Sequence, residues 1–121
     1  MRIAVTGGLG FIGSAVIRQL LSSGDHEVLN IDCCTYAATE GSVASVSRGG
    51  RYRHAKVDIT DGPALAQVFE DFGPEAVVHL AAESHVDRSI DGPGAFVRTN
   101  VNGTFELLSA ARRHAESTNS L

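Results

Sequence analysis

The residues best suited to chemistry form one run near the N-terminus, Thr6-Gly7-Gly8-Leu9-Gly10-Phe11-Ile12-Gly13. The glycines read as G-x-G-x-x-G through Gly8, Gly10 and Gly13, or as G-x-x-G-x-x-G through Gly7, Gly10 and Gly13. In either reading the first lets the chain turn sharply, the second leaves the backbone open to a phosphate, and the third lets a helix pack closely on a strand. A flexible turn can carry the same glycines, so the flanks decide. Arg2 to Thr6 reads as a short buried strand, and Phe11 to Leu21 places Ile12, Ala15, Val16, Gln19 and Leu20 at helical spacing. The N-terminus of such a helix offers free N–H groups and a partial positive charge to phosphate. Asp32 closes the next strand, 19 positions after Gly13. A carboxylate there accepts hydrogen bonds from both hydroxyls of a ribose and repels a 2′-phosphate. Strand, turn, helix and acid together point to a dinucleotide, NAD in preference to NADP. The residues after Asp32 are Cys33 and Cys34, not arginines, which agrees.

The remaining elements must hold these groups in place. Glu27 to Asp32 reads as the second strand, Arg53 to Ile59 as the third and Ala76 to Leu80 as the fourth. Cys33 to Gly50 lacks periodicity and reads as a long loop. Asp61 is placed to cap a helix with Pro63 in its first turn and Gly73-Pro74 at its end. Ala81 to Pro93 reads as a polar loop, and Gly94 to about Ala115 as a long helix weakened at Gly103 by ~1 kcal/mol. Alternating strands and helices predict an α/β, Rossmann-type parallel sheet in the order 3-2-1-4, with helices on both faces, as an incomplete doubly wound fold.

With 121 residues, 43% of them hydrophobic, the chain has material for one domain and its core. A net charge of −4 and scattered arginines argue against a nucleic-acid surface. No apolar run approaches the ~20 residues that span a bilayer, and the N-terminus does not read as a signal peptide. Neighbouring Cys33 and Cys34 are poorly placed for a disulfide and read as free thiols of a cytoplasmic protein.

Ligands of open α/β sheets sit beyond the carboxyl ends of the strands. Asp58 and Ile59 lie at one such end and Ala81, Ala82, Glu83 and Ser84 at another. Asp58 is suited to an adenine amino group, and the small alanines to backbone running beneath a dinucleotide. Strand-end capping and tight packing are the rival explanations of the same residues. Ser84, His85 and Asp87 are too close in sequence to align as a triad. His79, inside an apolar strand, reads as a packed core histidine, and the Cys33 thiol as inert. Tyr52 and Lys56 match Tyr-x-x-x-Lys, but that pair needs a helix, where four residues span ~6 Å. In a strand they span ~13 Å, so the match reads as coincidence.

Taken in order, these segments resemble the extended short-chain dehydrogenase/reductase family, and within it the sugar-nucleotide 4,6-dehydratases. The resemblance rests on Val5 to Ser14, Asn30-Ile31-Asp32 with Thr35-Tyr36-Ala37, Arg51-Tyr52-Arg53 leading to Asp58-Ile59, His79 to Ile90, and Thr99-Asn100-Val101 with Gly103-Thr104. The glycine motif is common to the superfamily. His79 to Ile90, with Thr35-Tyr36-Ala37, is much more specific and separates the chain from sugar-nucleotide epimerases. The resemblance implies NAD as cofactor. Gly7, Gly10, Phe11, Ile12 and Gly13 would lie at the pyrophosphate, Asp32, Cys33, Cys34 and Thr35 at the adenosine ribose, and Asp58 and Ile59 at adenine. Leu80, Ala81, Ala82, Glu83 and Thr99 would line the route to the nicotinamide ribose, and Ser84, His85 and Arg88 would meet a nucleotide-sugar substrate, dTDP-glucose. Cys33-Cys34 and Ala38-Thr39 depart from the family's usual residues around Thr35-Tyr36-Ala37 and put the details of adenosine contact in doubt.

The same resemblance implies a catalytic threonine, an Asp-Glu pair and a helical Tyr-x-x-x-Lys beyond Leu121. No catalytic residue and no metal ligand is therefore assigned here. The expected organisation is the N-terminal part of an NAD-binding domain over residues 1–115, a polar tail over 116–121 and a substrate domain further on. The whole enzyme is expected to be a homodimer, and the 121-residue stretch to be inactive alone and marginally stable or self-associating, with an uncovered apolar fourth strand and long helix. A UDP-sugar 4-epimerase, another dehydratase of the superfamily, and a non-catalytic NAD-binding module remain as alternatives.

Overall fold

The computed structural model of the chain describes residues 1–34 and 49–119. Its order is β1 (Arg2–Thr6), α1 (Phe11–Ser23), β2 (Glu27–Ile31), β3 (Tyr52–Ala55), α2 (Gly62–Phe72), β4 (Ala76–His79), α3 (Val86–Asp91), α4 (Pro93–Phe96), a π-helical segment (Val97–Gly103) and α5 (Thr104–Thr118). The sheet runs β3-β2-β1-β4, as expected. All three pairings are parallel.

Helices cover both faces. On one, Ile3, Val5 and Val28 pack with Leu9, Ile17 and Leu21 of α1 and the turn before it. On the other, Ala4, Leu29 and Ile31 meet Leu65, Phe69 and Phe72 of α2 and Leu107 and Ala110 of α5. Burial from both sides explains why the apolar residues of β1 and β2 run continuously instead of alternating. Fully burying a side chain such as Phe69 stabilises by about 1.5–3 kcal/mol.

Four expectations change in the structure. β3 ends at Ala55 because its partner β2 ends at Ile31, leaving Lys56 to Ile59 no strand to pair with. The stretch read as a polar loop contains α3, which buries none of its residues and so carries no amphipathic signature. The long helix is divided into α4, the π segment and α5. A Cβ on Gly103 would stand 2.6 Å from Ile59 Cδ1 and Cγ1, so this glycine lets the π segment close on Ile59. Finally, α5 continues to Thr118, into the stretch read as tail. Most of the expected loop, Thr35 included, lies outside the described residues.

Candidate functional site: a cleft at the carboxyl ends of the strands

The chain passes from β1 outward to β2 and β3, then crosses back through α2 to β4 on the other side of β1, so the strand order reverses beside β1. A crevice opens at such a switch point. Here it is a cleft of about 570 Å³, lined by the glycine turn, the ends of β2 and β4, Val57 to Ile59 and Thr99.

The glycine turn folds as the spacing requires. Gly7 has φ +70, and a Cβ there would lie 2.7 Å from Ala81 Cα. A Cβ on Gly13 would strike the Gly7 carbonyl oxygen. Gly10 is different: a Cβ would meet only that same oxygen, at 3.3 Å. Packing within the chain therefore leaves room at Gly10, and its bare backbone faces the cleft. Gly8 is buried beside Asn30 and does not line the cleft, so the Gly7, Gly10, Gly13 reading is the one the geometry supports. Gly10 caps α1 with no side-chain bond, and the first turn holds no acid.

Two buried polar residues, Asn30 in β2 and Asp32 directly after it, anchor this turn. Asn30 Oδ1 accepts from Gly8 N–H at 3.0 Å, while its amide donates to Tyr52 Oη at 3.0 Å. Tyr52 thus supports β2 from β3, and neither it nor Lys56 lines the cleft. Asp32, 8% exposed, accepts Leu9 N–H on Oδ2 at 3.0 Å and Cys34 N–H on Oδ1 at 2.7 Å. A carboxylate oxygen accepts more than one hydrogen bond, so both keep capacity toward the cleft. Asp58 Oδ1 accepts from the Thr60 amide and hydroxyl at 2.9 and 2.8 Å. Burial, then the charges of Asp58 and Asp32, push the Cys33 thiol up, which keeps it protonated and matches its reading as inert.

On the other side, the side chain of Asn100 grips the backbone of Glu83, accepting its N–H and donating to its carbonyl at 2.9 Å each. The π segment carries both Asn100 and the lining residue Thr99. A π turn re-aims side chains relative to an α-helix. Buried Thr6 and half-buried His79 join β1 to β4 and α5 behind the cleft.

Gly7, Gly10 to Gly13, Asp32, Cys33, Asp58, Ile59, Leu80 to Ser84 and Thr99 therefore converge on one cleft, joined by Ile31 and Val57. Cys34, His85 and Arg88 do not line it. Cys34 takes φ 61 and packs toward the cluster beneath α1, with its sulfur 3.9 Å from His54 Nε2. His85 precedes α3 as its cap and Arg88 lies on that exposed helix. The anchors Asn30, Asn100 and Thr6 received no role from the sequence, because their partners are 17 to 75 positions away. The one available signal was a pair of asparagines at apolar strand and helix positions. Among the described residues, no group of three His, Cys, Asp or Glu side chains is placed to hold a metal, and no helix is long and apolar enough to cross a membrane.

The sequence model described as GDP-mannose 4,6 dehydratase matches residues 4–120. The chain belongs to that family. Among curated members of known name, dTDP-glucose 4,6-dehydratase 1 of Escherichia coli K12 is 54% identical over 114 residues, which are 94% of this chain and 32% of that protein. Among solved structures, DesIV, a dTDP-glucose 4,6-dehydratase from Streptomyces venezuelae with NAD and TYD bound, superposes with a TM-score of 0.89 at 45% identity, covering 95% of this chain and 37% of that one. The UDP-glucose 4-epimerase of Thermus thermophilus, in complex with NAD, follows at a TM-score of 0.85 and 33% identity, over 95% of this chain and 35% of its own. This member of the dehydratase family thus spans about a third of the length of its relatives.

Proposed function

We propose that this chain is the NAD-binding portion of a sugar-nucleotide 4,6-dehydratase acting on dTDP-glucose. The observation that carries the reading is the meeting of Gly10, the uncapped start of α1 and Asp32 in one cleft. These residues fit the dinucleotide. The open backbone at Gly10 and the N–H groups of the first turn of α1 would receive the pyrophosphate, and Asp32 the adenosine ribose. Asp58 and Ile59 would border adenine, and Leu80 to Glu83 with Thr99 the nicotinamide side. Ser84, which lines the cleft, would meet the sugar nucleotide, with His85 and Arg88 following it in the chain. The chemistry such a cofactor supplies is transient storage of a hydride between C4 and C6 of the sugar while water is lost. This chain's own residues bind and orient, and none is assigned a proton-transfer step.

Similarity favours the dehydratase over the epimerase, 54% and 45% identity against 33%. The exposed apolar residues Val97, Val101, Phe105 and Leu108 recur along one helical path and support a homodimer in the whole enzyme. The absence of a spanning helix among the described residues is compatible with a cytoplasmic site.

Calorimetric titration tests the cofactor assignment. NAD is expected to bind at least about tenfold more tightly than NADP, because Asp32 opposes a 2′-phosphate. Equal affinity, or binding of neither, overturns it. Incubation with dTDP-glucose and UDP-glucose separates the enzymes. The protein as its gene encodes it is expected to form the 4-keto-6-deoxy product from dTDP-glucose, whereas a UDP-hexose epimer would establish the epimerase. The 121-residue stretch alone is expected to bind NAD without turnover.

A further inference from the structure

His79 has no part in the reading above, yet both of its ring nitrogens are engaged. Thr104 Oγ1 donates its proton to the Asn100 carbonyl at 2.8 Å. Toward His79 Nε2, 3.0 Å away, it can therefore only accept, so Nε2 carries the proton. Nδ1 is then a lone pair, and Thr6 Oγ1 donates to it at 2.6 Å. With its proton so directed, the Thr6 oxygen has both lone pairs free for the N–H groups of Leu80 and Ala81, each at 3.1 Å. Leu80 N–H is shared with the Thr6 carbonyl at 3.2 Å, whereas the Ala81 bond is to the hydroxyl. Leu80 and Ala81 line the cleft, and Gly7 lies against their backbone.

We propose that His79 is a positioning residue of the cofactor site: as the neutral Nε2–H imidazole it aims the Thr6 hydroxyl so that its oxygen clamps the Leu80 and Ala81 amides beneath the glycine turn. The inference rests on the dinucleotide reading given above. The Thr104 arm ties the clamp to the π segment, whose Asn100 holds the Glu83 backbone on the same side of the cleft. A protonated imidazole would present N–H at Nδ1. The Thr6 oxygen would then face three donors with two lone pairs, and the Ala81 amide, with no second acceptor, would lose most. The groups that face the ring are uncharged, Thr6 from β1 and Thr104 from α5. Neither Arg2 of β1, nor Glu106, Arg112, Arg113 and Glu116 of α5, nor Glu83 of the following loop moves its titration; burial alone pushes it below the ordinary 6.5.

The test compares His79→Asn, which retains an acceptor at the Nδ1 position, with His79→Gln, which retains only a donor at the Nε2 position. Both are made in the protein as its gene encodes it. NAD affinity is titrated from about pH 8 to 5.5, spanning the histidine range, and exchange of the Ala81 amide is followed without ligand. The Asn variant is expected to bind NAD roughly tenfold more tightly than the Gln variant, the worth of one buried hydrogen bond. Ala81 should exchange faster in the Gln variant by a similar factor. Wild-type affinity should weaken on acidification, and the Asn variant should lack that weakening. Equal affinities, or an acid-side loss that survives in the Asn variant, overturn the clamp. Should the Gln variant fail to fold, the flat pH profile of the Asn variant decides. Should the wild type not bind NAD at all, the dinucleotide reading falls, and Ala81 exchange still judges the clamp.

Discussion

Helices α1 and α2 both begin beyond the carboxyl end of a strand, and they begin in opposite ways. α2 satisfies its own start: Asp61 accepts Ala64 N–H at 3.1 Å, Pro63 fills the first turn, and Gly73 closes the far end in the left-handed region with its N–H on the Phe69 carbonyl. α1 opens on Gly10 with no side-chain cap, and its first residues, Phe11 and Ile12, are 94% and 64% exposed at the cleft. Orphan N–H groups at a helix start need a cap, water or a ligand. The difference separates scaffold from site. The chain completes α2 from its own residues and leaves α1 to be completed from outside.

The sharpest way to break this comparison is Gly13→Ala. Its Cβ would meet the Gly7 carbonyl oxygen, backbone that cannot swing away. Overpacking of this kind costs about 1–3 kcal/mol, so thermal unfolding should move down by several degrees and NAD binding should vanish from calorimetry. A variant that melts like wild type and binds NAD would show the turn to be less tightly built than described. Asp61→Ala makes the converse case. Loss of this cap should lower stability by about 1 kcal/mol in denaturant unfolding, while NAD affinity stays as it was. A parallel fall in affinity would mean that the start of α2 also serves the site. Acid provides the mildest perturbation. The folded state disfavours protonation of half-buried His79. Its contribution to stability is therefore complete above the unfolded value of 6.5 and declines as pH falls from there through the lower folded value. Melting curves across that window should show the decline in the wild type and a smaller one in His79→Asn.

Much of the scaffold was legible in the residues themselves. The glycine turn, the Asp61 cap with Pro63 and the acid closing β2 are local features, set by the steric and hydrogen-bonding character of residues a few positions apart. The sheet order followed from strand–helix alternation and crossover handedness. β3 was placed too far along because its end is set by its partner β2, and α3 was missed because none of its residues is buried.

By itself, the sequence determined where the chain turns, which helix caps itself, and that an acid stands at the end of the second strand. Those are contests between neighbouring residues, decided by sterics and short-range hydrogen bonds. Only the tertiary structure decided that Cys34 turns away from the cleft while Cys33 stays, that a π segment aims Thr99 and Asn100 inward, and that His79 holds Thr6 on one side and Thr104 on the other. Each of those outcomes depends on groups tens of residues distant, and their burial and hydrogen bonding exist only once the sheet has assembled.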